Sequence, residues 1–177
     1  AFSLSALHVH HGLSANADAW ADACTRVCRE LDVPLKHLRV DVPRNTDAGL
    51  EASAREKRHK ALAGHPADWI LLAHHADDQA ETVLHNLLRG AGVRGAGAMP
   101  ASRGRVLRPL LGVTRDELLA YARFHRLAWV EDESNADCRY TRNFLRHQIF
   151  PLIASRFPRA GKQLAAAAAR FGEADAL

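Results

Sequence analysis

The sequence predicts an α/β fold built on a parallel sheet. Short apolar or alternating segments, which are typical of strands, are separated by longer segments whose apolar residues recur every three or four positions. Strands that alternate with helices are expected to pair in parallel through right-handed crossovers. At 177 residues and 47% hydrophobic residues, the chain is long enough to bury one core.

The first half of the chain has two predicted strands and two predicted helices. They are strands at residues 5–10 and 35–42 and helices at residues 16–31 and 50–63. On the first helix, Trp20, Ala23, Val27 and Leu31 lie on one apolar stripe. Gly64 is placed to end the second helix.

The second half continues the alternation and then becomes mostly helical. The predicted elements are strands at 69–73, 106–110 and 127–130 and helices ending near Gly90 and Arg126, at 142–156 and at 163–171. Asp78 and Glu81 have the spacing of a capping box at the start of the helix before Gly90, and Thr114 and Glu117 have it at the next. Pro151 is expected to kink the helix that contains it. We expect one domain at 1–158 and the start of a helical linker at 159–177.

Composition argues against a membrane or secreted protein. No apolar run approaches the roughly 20 residues that a membrane span needs. Three cysteines are an odd count, and Cys24 and Cys28 lie one helical turn apart on an apolar face, which favours buried free thiols. The sequence therefore predicts a cytoplasmic protein.

A basic, glycine-rich segment follows the central helix. No acidic residue occurs between Glu81 and Asp116, while six arginines and several glycines do. Glycine lets a backbone approach a ligand closely, and arginine offers fork-shaped donors. The segment therefore suits phosphate contact, although a solvated flexible loop would have the same composition.

The most informative polar cluster lies where a predicted strand gives way to a helix. His75, Asp77, Asp78 and Glu81 follow the apolar run at 69–73. In open α/β sheets ligands bind at the carboxyl ends of strands, near helix N-termini. Carboxylates there suit Mg²⁺ or an amine, but helix capping alone would also explain acids at this position.

An ordered series of motifs resembles the tRNA(Ile)-lysidine synthetase family. The motifs are His8-Val9-His10-His11-Gly12-Leu13-Ser14, Glu51-Ala52-x-Ala54-Arg55, His75-x-Asp77-Asp78-Gln79-x-Glu81-Thr82, Arg89-Gly90, Arg108-Pro109-Leu110-Leu111, Glu131-Asp132-Glu133-Ser134-Asn135 and Tyr140-x-Arg142-Asn143-x-x-Arg146. Each motif is modest by itself. The ordered set, which runs from about Leu4 to Pro158, is highly specific.

The resemblance implies an N-type ATP pyrophosphatase, or PP-loop, fold. This is a Rossmann-like parallel sheet flanked by helices, of the adenine nucleotide alpha hydrolase-like type. The implied activity is a ligase that converts the wobble cytidine of tRNA(Ile) with a CAU anticodon into lysidine. ATP adenylates the C2 oxygen with loss of pyrophosphate, and free L-lysine then displaces AMP. The implied cofactors are ATP and Mg²⁺, and a homodimer is a further expectation.

The chain departs from the family pattern at its ends. The Ser-Gly-Gly-x-Asp-Ser loop that holds pyrophosphate in this family does not occur in these 177 residues, and neither do the family's common C-terminal tRNA-binding domains. We therefore expect a fragment lacking the N-terminal phosphate-binding loop. Such a fragment is expected to be inactive alone.

Roles for the acidic cluster follow from the chemistry that the resemblance implies. Amine attack needs a deprotonated lysine, and Asp78 is the expected base. Glu81, one turn further along, is expected to hold the amine or, with Asp78, Mg²⁺. Asp77 is expected to be a helix cap or a supporting partner, and Arg142 to act in catalysis.

Other candidate residues divide between nucleotide and RNA contact. The expected ATP-binding residues are His10, His11, Gly12, His75 and Arg108. The expected tRNA or phosphate contacts are Arg89, Arg139, Asn143 and Arg146. Arg142 and Arg146 share a helix face and could form a phosphate clamp, although surface salt bridges would also explain them.

Three alternatives stay open at this point. The first is another PP-loop enzyme of the tRNA-thiolation type, which often needs a cysteine pair or cluster, and this chain lacks a C-x-x-C. The second is a His/Asp metal-dependent phosphohydrolase, which predicts an all-helical fold with His75 and Asp78 as metal ligands. The third is an RNA-binding module without catalysis, which leaves the acidic cluster unexplained.

Overall fold

The computed structural model describes residues 2–43 and 50–177, apart from the side chain of Glu51, so the motif that begins at Glu51 lies partly outside the description. The chain divides into two compact units, Ala1–Ala67 and Asp68–Leu177. No helix in the described ranges is both long enough and apolar enough to cross a membrane.

The first unit contains a parallel strand pair with a crossover helix. Its elements are β1 (Ala6–His10), α1 (Ala17–Glu30), β2 (Leu35–Arg39) and α2 (Leu50–Ala63). β1 and β2 run parallel, in a register that sets Ala6 opposite Leu35 and His10 opposite Arg39. All four predicted elements form, and α2 ends directly before Gly64 as predicted.

The second unit combines a small mixed sheet with a set of helices. Its elements are β3 (Ile70–Leu71), α3 (Ala76–Leu88), α4 (Val93–Ala96), β4 (Ser102–Arg103), β5 (Val106–Leu107), α5 (Arg115–Phe124), a 3₁₀ turn (Glu133–Ala136), α6 (Thr141–Phe144), α7 (Phe150–Arg156) and α8 (Ala160–Asp175). β3 pairs in parallel with β5, and β4 adds to β5 antiparallel. These strands contradict the all-helical fold that the phosphohydrolase alternative required.

The predicted strand at 127–130 is wrong. Leu127, Trp129 and Val130 are all about half exposed, and no strand in the described part of the chain pairs with them. A strand is stable only when its backbone groups are paired with a neighbour, so apolar residues alone do not make one. The other two predicted strands of this half form, but each is only two residues long.

The predicted kink at Pro151 takes the form of a π-helical turn. α6 runs into a π segment, Leu145–Ile149, which leads directly into α7. The N–H of Phe150 bonds to the carbonyl of Leu145, five residues earlier. Proline has no N–H to donate to the carbonyl four residues before it, so the regular helical ladder is interrupted at this point.

Helix α3 is the core element of the second unit. Its residues Ala80 and Val83 are almost fully buried, and α8 packs along it through Ala168. A Cβ atom built on Gly97 would lie 3.2 Å from the backbone nitrogen of Gly172, so α8 passes very close to the end of α4. α8 is therefore part of this unit's packing, and a linker beginning at 159 stays a prediction.

Candidate active site at the start of helix α3

Helix α3 begins directly after β3, and its first turn carries the acidic motif. His75 is the N-cap residue, and its N–H donates to Oδ2 of Asp78 at 3.1 Å. The capping box is therefore formed by His75 and Asp78, and the predicted box of Asp78 and Glu81 is wrong. Because the helix starts at Ala76, Glu81 lies in its second turn, beyond the free N–H groups that a cap serves.

Glu81 is buried and bound by an arginine from a distant part of the chain. Its side chain is only 3% exposed. Nε and Nη2 of Arg146 donate to its two carboxylate oxygens at 2.6 and 2.9 Å, which is the bidentate geometry of strong arginine–carboxylate pairs. Burial raises the pKa of the Glu81 carboxyl, and the guanidinium of Arg146 opposes that shift. The carboxylate raises the pKa of Arg146 in turn.

The same arginine also reaches Asp78, and Arg142 reaches the next residue of α3. Nη2 of Arg146 lies 3.4 Å from Oδ1 of Asp78. Nη2 of Arg142 donates to Oγ1 of Thr82 at 3.2 Å, and that hydroxyl donates to the carbonyl of Asp78 at 2.7 Å. The structure thus brings together Asp78, Glu81, Arg142 and Arg146, four of the residues singled out from sequence.

Asp77 has a different contact from its neighbour Asp78. Its Oδ2 accepts a hydrogen bond from the backbone N–H of Arg115 at 2.8 Å, at the first residue of α5. Asp77 therefore binds a free N–H group in the first turn of α5, rather than capping its own helix as expected. The N–H of Ala76 also donates to the carbonyl of Val113, so two bonds tie the start of α3 to the start of α5.

His75 lies between the two aspartates. Its Nδ1 is 3.6 Å from Asp77 and its Nε2 is 3.6 Å from Asp78. The nearby carboxylate of Asp77 raises the pKa of His75, against the opposing effect of burial, and the imidazole lowers the pKa of Asp77 in turn. The two aspartates therefore favour the charged form of His75 more than water would, which makes this residue a candidate contact for an anion.

Arg108 has an unused donor. Its Nη1 donates to the carbonyl of Pro100 at 2.9 Å, while its buried Nε has no partner among the described residues. Burial, and then the positive charge of Arg103, lower the pKa of Arg108. An anion would satisfy the free N–H and offset the repulsion between the two arginines, so this residue fits the predicted contact with nucleotide phosphate.

The predicted RNA contacts differ in exposure. Arg89 is exposed at the end of α3, and Arg139 is exposed while it pairs with Asp137. Asn143 is buried instead, and its Nδ2 donates to the carbonyls of Ser134 and Asp137 at 2.7 and 3.0 Å. In this structure Asn143 holds the loop before α6 rather than facing solvent, because its amide satisfies two loop carbonyls.

The three N-terminal candidates lie at the end of β1, in the first unit. Nε2 of the buried His10 is 3.0 Å from Oδ1 of Asp18, which also accepts a hydrogen bond from Arg39 at 2.9 Å. Burial lowers the pKa of His11, and nearby Arg58 adds to that effect. Gly12 has a φ of +66°, a left-handed conformation that favours glycine.

The three cysteines are free thiols. Cys24 and Cys28 are half-buried rather than fully buried, and Cys138 is exposed. Sγ of Cys24 lies 3.5 Å from Nδ1 of His8. No group of three or more His, Cys, Asp or Glu residues in the described ranges could hold a metal ion.

Asp78 and Glu81 do not fit the predicted Mg²⁺ site in this arrangement. Each of their carboxylate oxygens already faces a donor: the N–H of His75 and the guanidinium of Arg146 for Asp78, and Arg146 alone for Glu81. A guanidinium occupies the position that a cation bridging the two carboxylates would take. The sequence does not reveal that Arg146 neutralises this pair, and a Mg²⁺ site formed by Asp78 and Glu81 stays a prediction.

Sequence reasoning gave no role to Gln79. It is buried between the two acidic positions, and its carboxamide bonds both to the carbonyl and to the N–H of Met99. The available signal was that Gln79 lies one turn before the apolar Val83, on a face that α3 buries. Its partner lies 20 residues away in the glycine-rich segment, where no local pattern points to it.

The comparisons with known proteins agree with the motif series. Residues 1–153 match the PP-loop domain family, ATP_bind_3. The tRNA(Ile)-lysidine synthase of Aromatoleum aromaticum is 57% identical over 99% of this chain and 42% of its own length. The synthases of Azoarcus sp. and Pseudomonas aeruginosa are 51% and 52% identical over 97% and 99% of this chain, and 40% of their own lengths. The chain thus spans about two fifths of these relatives.

A solved structure supports the predicted fold. The U34-tRNA thiolase NcsA from Methanococcus maripaludis with its [4Fe-4S] cluster superposes with a TM-score of 0.76, covering 97% of this chain and 63% of that one. At 20% identity the likeness concerns the fold alone. It confirms the adenine nucleotide alpha hydrolase-like arrangement expected from sequence. Taken with the family match across residues 1–153, these findings mean that the chain belongs to the PP-loop domain family.

Proposed function

We propose that this chain is the ATP-using part of a tRNA(Ile)-lysidine synthase. In this proposal ATP adenylates the C2 oxygen of the wobble cytidine in tRNA(Ile) with a CAU anticodon, and pyrophosphate leaves. The side-chain amine of free L-lysine then attacks C2 and AMP leaves. The proposal rests on one observation above all, the 57% identity to a named lysidine synthase over 99% of the chain, which includes the whole acidic cluster.

The first step develops negative charge on phosphate oxygens, so cations and N–H donors should surround them. Arg108, with its unused Nε donor, is the proposed phosphate contact in the second unit. His75, whose pKa is raised chiefly by Asp77, is proposed to assist it. That His10, His11 and Gly12 contact adenosine stays a prediction, which rests on their place at the end of a parallel strand.

The second step needs a neutral amine, and Asp78 is its proposed base. Its side chain is 17% exposed, so a ligand can reach it, whereas Glu81 is closed off. Arg146 lies beside Asp78, and a like charge near an ammonium favours loss of its proton. Glu81 is proposed to hold Arg146 in that place, and Arg142 to face the charge that develops on the activated cytidine.

Further parts of the proposal concern partners. The exposed Arg89 and Arg139 are the proposed tRNA backbone contacts. Mg²⁺ bound to ATP is expected, as for nucleotide chemistry in general, but the proposal needs no Mg²⁺ between Asp78 and Glu81. A homodimer and a cytoplasmic location stay predictions.

A tRNA-thiolation enzyme is the second candidate. The structural likeness to NcsA favours it, but at 20% identity that likeness concerns the fold alone. The two functions differ in the atom that replaces oxygen, nitrogen from lysine in one and sulfur in the other. The identity of the modified nucleoside therefore separates them.

The test incubates the intact protein with tRNA(Ile), ATP and L-lysine, and follows AMP, pyrophosphate and the mass of the modified cytidine. We expect lysine-dependent AMP release and a lysine adduct. Asp78→Asn should slow the lysine step by about 10²- to 10⁴-fold, the usual contribution of a general base, and leave tRNA-dependent pyrophosphate release largely intact.

Asp77→Asn is the matched control, since it removes a neighbouring charge that caps α5. It should affect the lysine step far less than Asp78→Asn. A sulfur-containing nucleoside, or a lysine step equally fast in wild type and Asp78→Asn, would contradict the proposal.

A further inference from the structure

The carboxamide of Gln79 clamps the backbone of Met99. Nε2 of Gln79 donates to the carbonyl of Met99 at 2.8 Å, and the N–H of Met99 donates to Oε1 at 3.0 Å. Gln79 is 4% exposed and Met99 is 8% exposed, so all four groups bond away from water. Buried polar groups of this kind are costly to leave without partners, which makes the pairing specific.

The clamp lies next to a strained turn. Ala98 has a φ of +51°, a left-handed conformation that costs a non-glycine residue free energy and persists only where the surroundings enforce it. The turn is enclosed on its other side, since Gly97 lies against the backbone of Gly172. Gln79 fixes the residue that follows the strained position, and thereby fixes the direction in which the chain leaves the turn.

The fixed stretch leads straight to Arg108. The carbonyl of Pro100 accepts from Nη1 of Arg108 at 2.9 Å, and the carbonyl of Ala101 accepts from its backbone N–H at 2.8 Å. Residues 99–101 therefore hold both the side chain and the backbone of this arginine. The same guanidinium carries the unpartnered donor Nε, so these contacts bear on where that donor lies.

We infer that Gln79 is a positioning residue for nucleotide binding: through the backbone of residues 99–101 it orients Arg108 toward the phosphates of ATP. This inference rests on the proposed function, which gives Arg108 its phosphate contact. It explains why a glutamine occupies the buried face of α3 between Asp78 and Glu81. The helix that carries the acidic residues thereby also sets the position of an arginine that lies 29 positions further along the chain.

The first test is ATP binding by the intact protein carrying Gln79→Met, which keeps the length of the side chain but removes both hydrogen bonds. We expect the Kd for ATP to rise at least about tenfold, because small displacements of a positioned group are costly. Gln79→Glu, which keeps the acceptor for the N–H of Met99 but not the donor, guards against a folding defect. It should weaken ATP binding in the same direction.

Asn86→Leu is the matched control. Asn86 lies on the same helix and donates to the carbonyl of Gly95, so it ties α3 to the other end of the same segment. Loss of this hydrogen bond should loosen the chain around Gly95 without moving residues 99–101. The Kd for ATP should therefore change less than about twofold. Equal weakening in both variants would mean that Gln79 only stabilises the segment, and would overturn the inference.

A double-mutant cycle with Arg108→Ala tests the route. If Gln79 acts through Arg108, then Gln79→Met should weaken ATP binding little further once Arg108 is absent, because coupled residues are not additive. Additive losses would overturn the inference.

Hydrogen exchange of the Arg108 amide gives a readout that is independent of ATP. We expect the Arg108 amide to exchange about two- to tenfold faster in Gln79→Met than in wild type. This is the range expected if its hydrogen bond to the carbonyl of Ala101 is weakened or lost. We expect no change in Asn86→Leu. If wild type binds no ATP, the proposed function fails, and this exchange still decides whether Gln79 orders Arg108. An unchanged exchange rate in Gln79→Met would overturn the inference by itself.

Discussion

The two units of the chain each contain a carboxylate bound by basic residues, at similar distances but in opposite surroundings. In the first unit, Asp18 is 81% exposed and contacts His10 and Arg39 at 3.0 and 2.9 Å. In the second unit, Glu81 is 3% exposed and contacts Arg146 at 2.6 and 2.9 Å. Distance alone would rank the two networks as nearly equal.

Burial separates them. An exposed ion pair is worth about 0–1 kcal/mol, because water and salt screen it and its side chains lose freedom. Removing one partner of a buried pair costs about 3–5 kcal/mol, since the remaining charge is left without compensation. We therefore expect the contacts of Glu81 to contribute more to the stability of the second unit than the contacts of Asp18 contribute to the stability of the first.

The largest expected effect is that of Glu81→Gln. It leaves the half-buried Arg146 with only the more distant Asp78 as a charged partner, and we expect the free energy of unfolding to fall by about 3 kcal/mol, the lower end of the range for a broken buried pair. Chemical denaturation measures this. Glu117→Gln is the matched control, because Glu117 is an exposed glutamate of the same unit whose pKa is lowered to about 2 by Thr114 and Lys162. A loss in Glu117→Gln as large as in Glu81→Gln would refute the ranking by burial.

A second expected effect is an opposite pH dependence of the two units. The pKa of His75 is raised above 6.5, chiefly by the nearby carboxylate of Asp77, so the stabilisation from this contact is complete below pH 6.5 and is lost as pH rises through the folded pKa. The pKa of His8 is lowered, first by burial and then by His37 and His10. Its stabilisation is complete above pH 6.5 and is lost as pH falls toward the folded pKa.

Residue-specific NMR titration checks this directly. The imidazole signal of His75 should titrate above pH 6.5 and that of His8 below it. His75→Gln should abolish the loss of stability in the second unit at rising pH and leave the acid response of the first unit unchanged. Titration of both histidines on the same side of pH 6.5 would contradict the expectation.

The smallest expected effect is that of Asp18→Asn. It should lower the free energy of unfolding by less than about 1 kcal/mol, because the carboxylate is exposed. The loss should shrink further at about 1 M salt, where exposed charges are screened within a few ångströms. Arg39→Gln should lower the free energy of unfolding by a similar amount, since it removes the exposed arginine of the same ion pair. A loss from Asp18→Asn that matches that from Glu81→Gln and resists salt would remove the contrast between the two units.

Much of the fold followed from local pattern. Helix α2 forms at the predicted residues 50–63, and the capping box of Thr114 and Glu117 opens α5 as expected. These features depend on residues three or four positions apart, so they can be seen in a single stretch of sequence. The strand predicted at 127–130 does not form, because a strand also needs a partner that local pattern does not supply.

The site was predicted in part. The resemblance singled out Asp78, Glu81, Arg142 and Arg146, and the structure brings these four together. It did not say that Arg146 would bind Glu81 rather than RNA phosphate. A carboxylate and a guanidinium 65 residues apart carry no mutual signal in one sequence.

The sequence by itself determined the alternation of strands and helices, the family, and the helix start on which the acidic residues lie. The family was recognised from the ordered motifs, whereas the elements and the helix start depend on short-range hydrogen bonds and apolar periodicity, which can be seen in neighbouring residues. Only the tertiary structure decided that Glu81 would be buried and neutralised, that Asp77 would cap α5, and that Gln79 would hold Met99. Those outcomes depend on which groups lose contact with water together, and that is settled when distant segments pack.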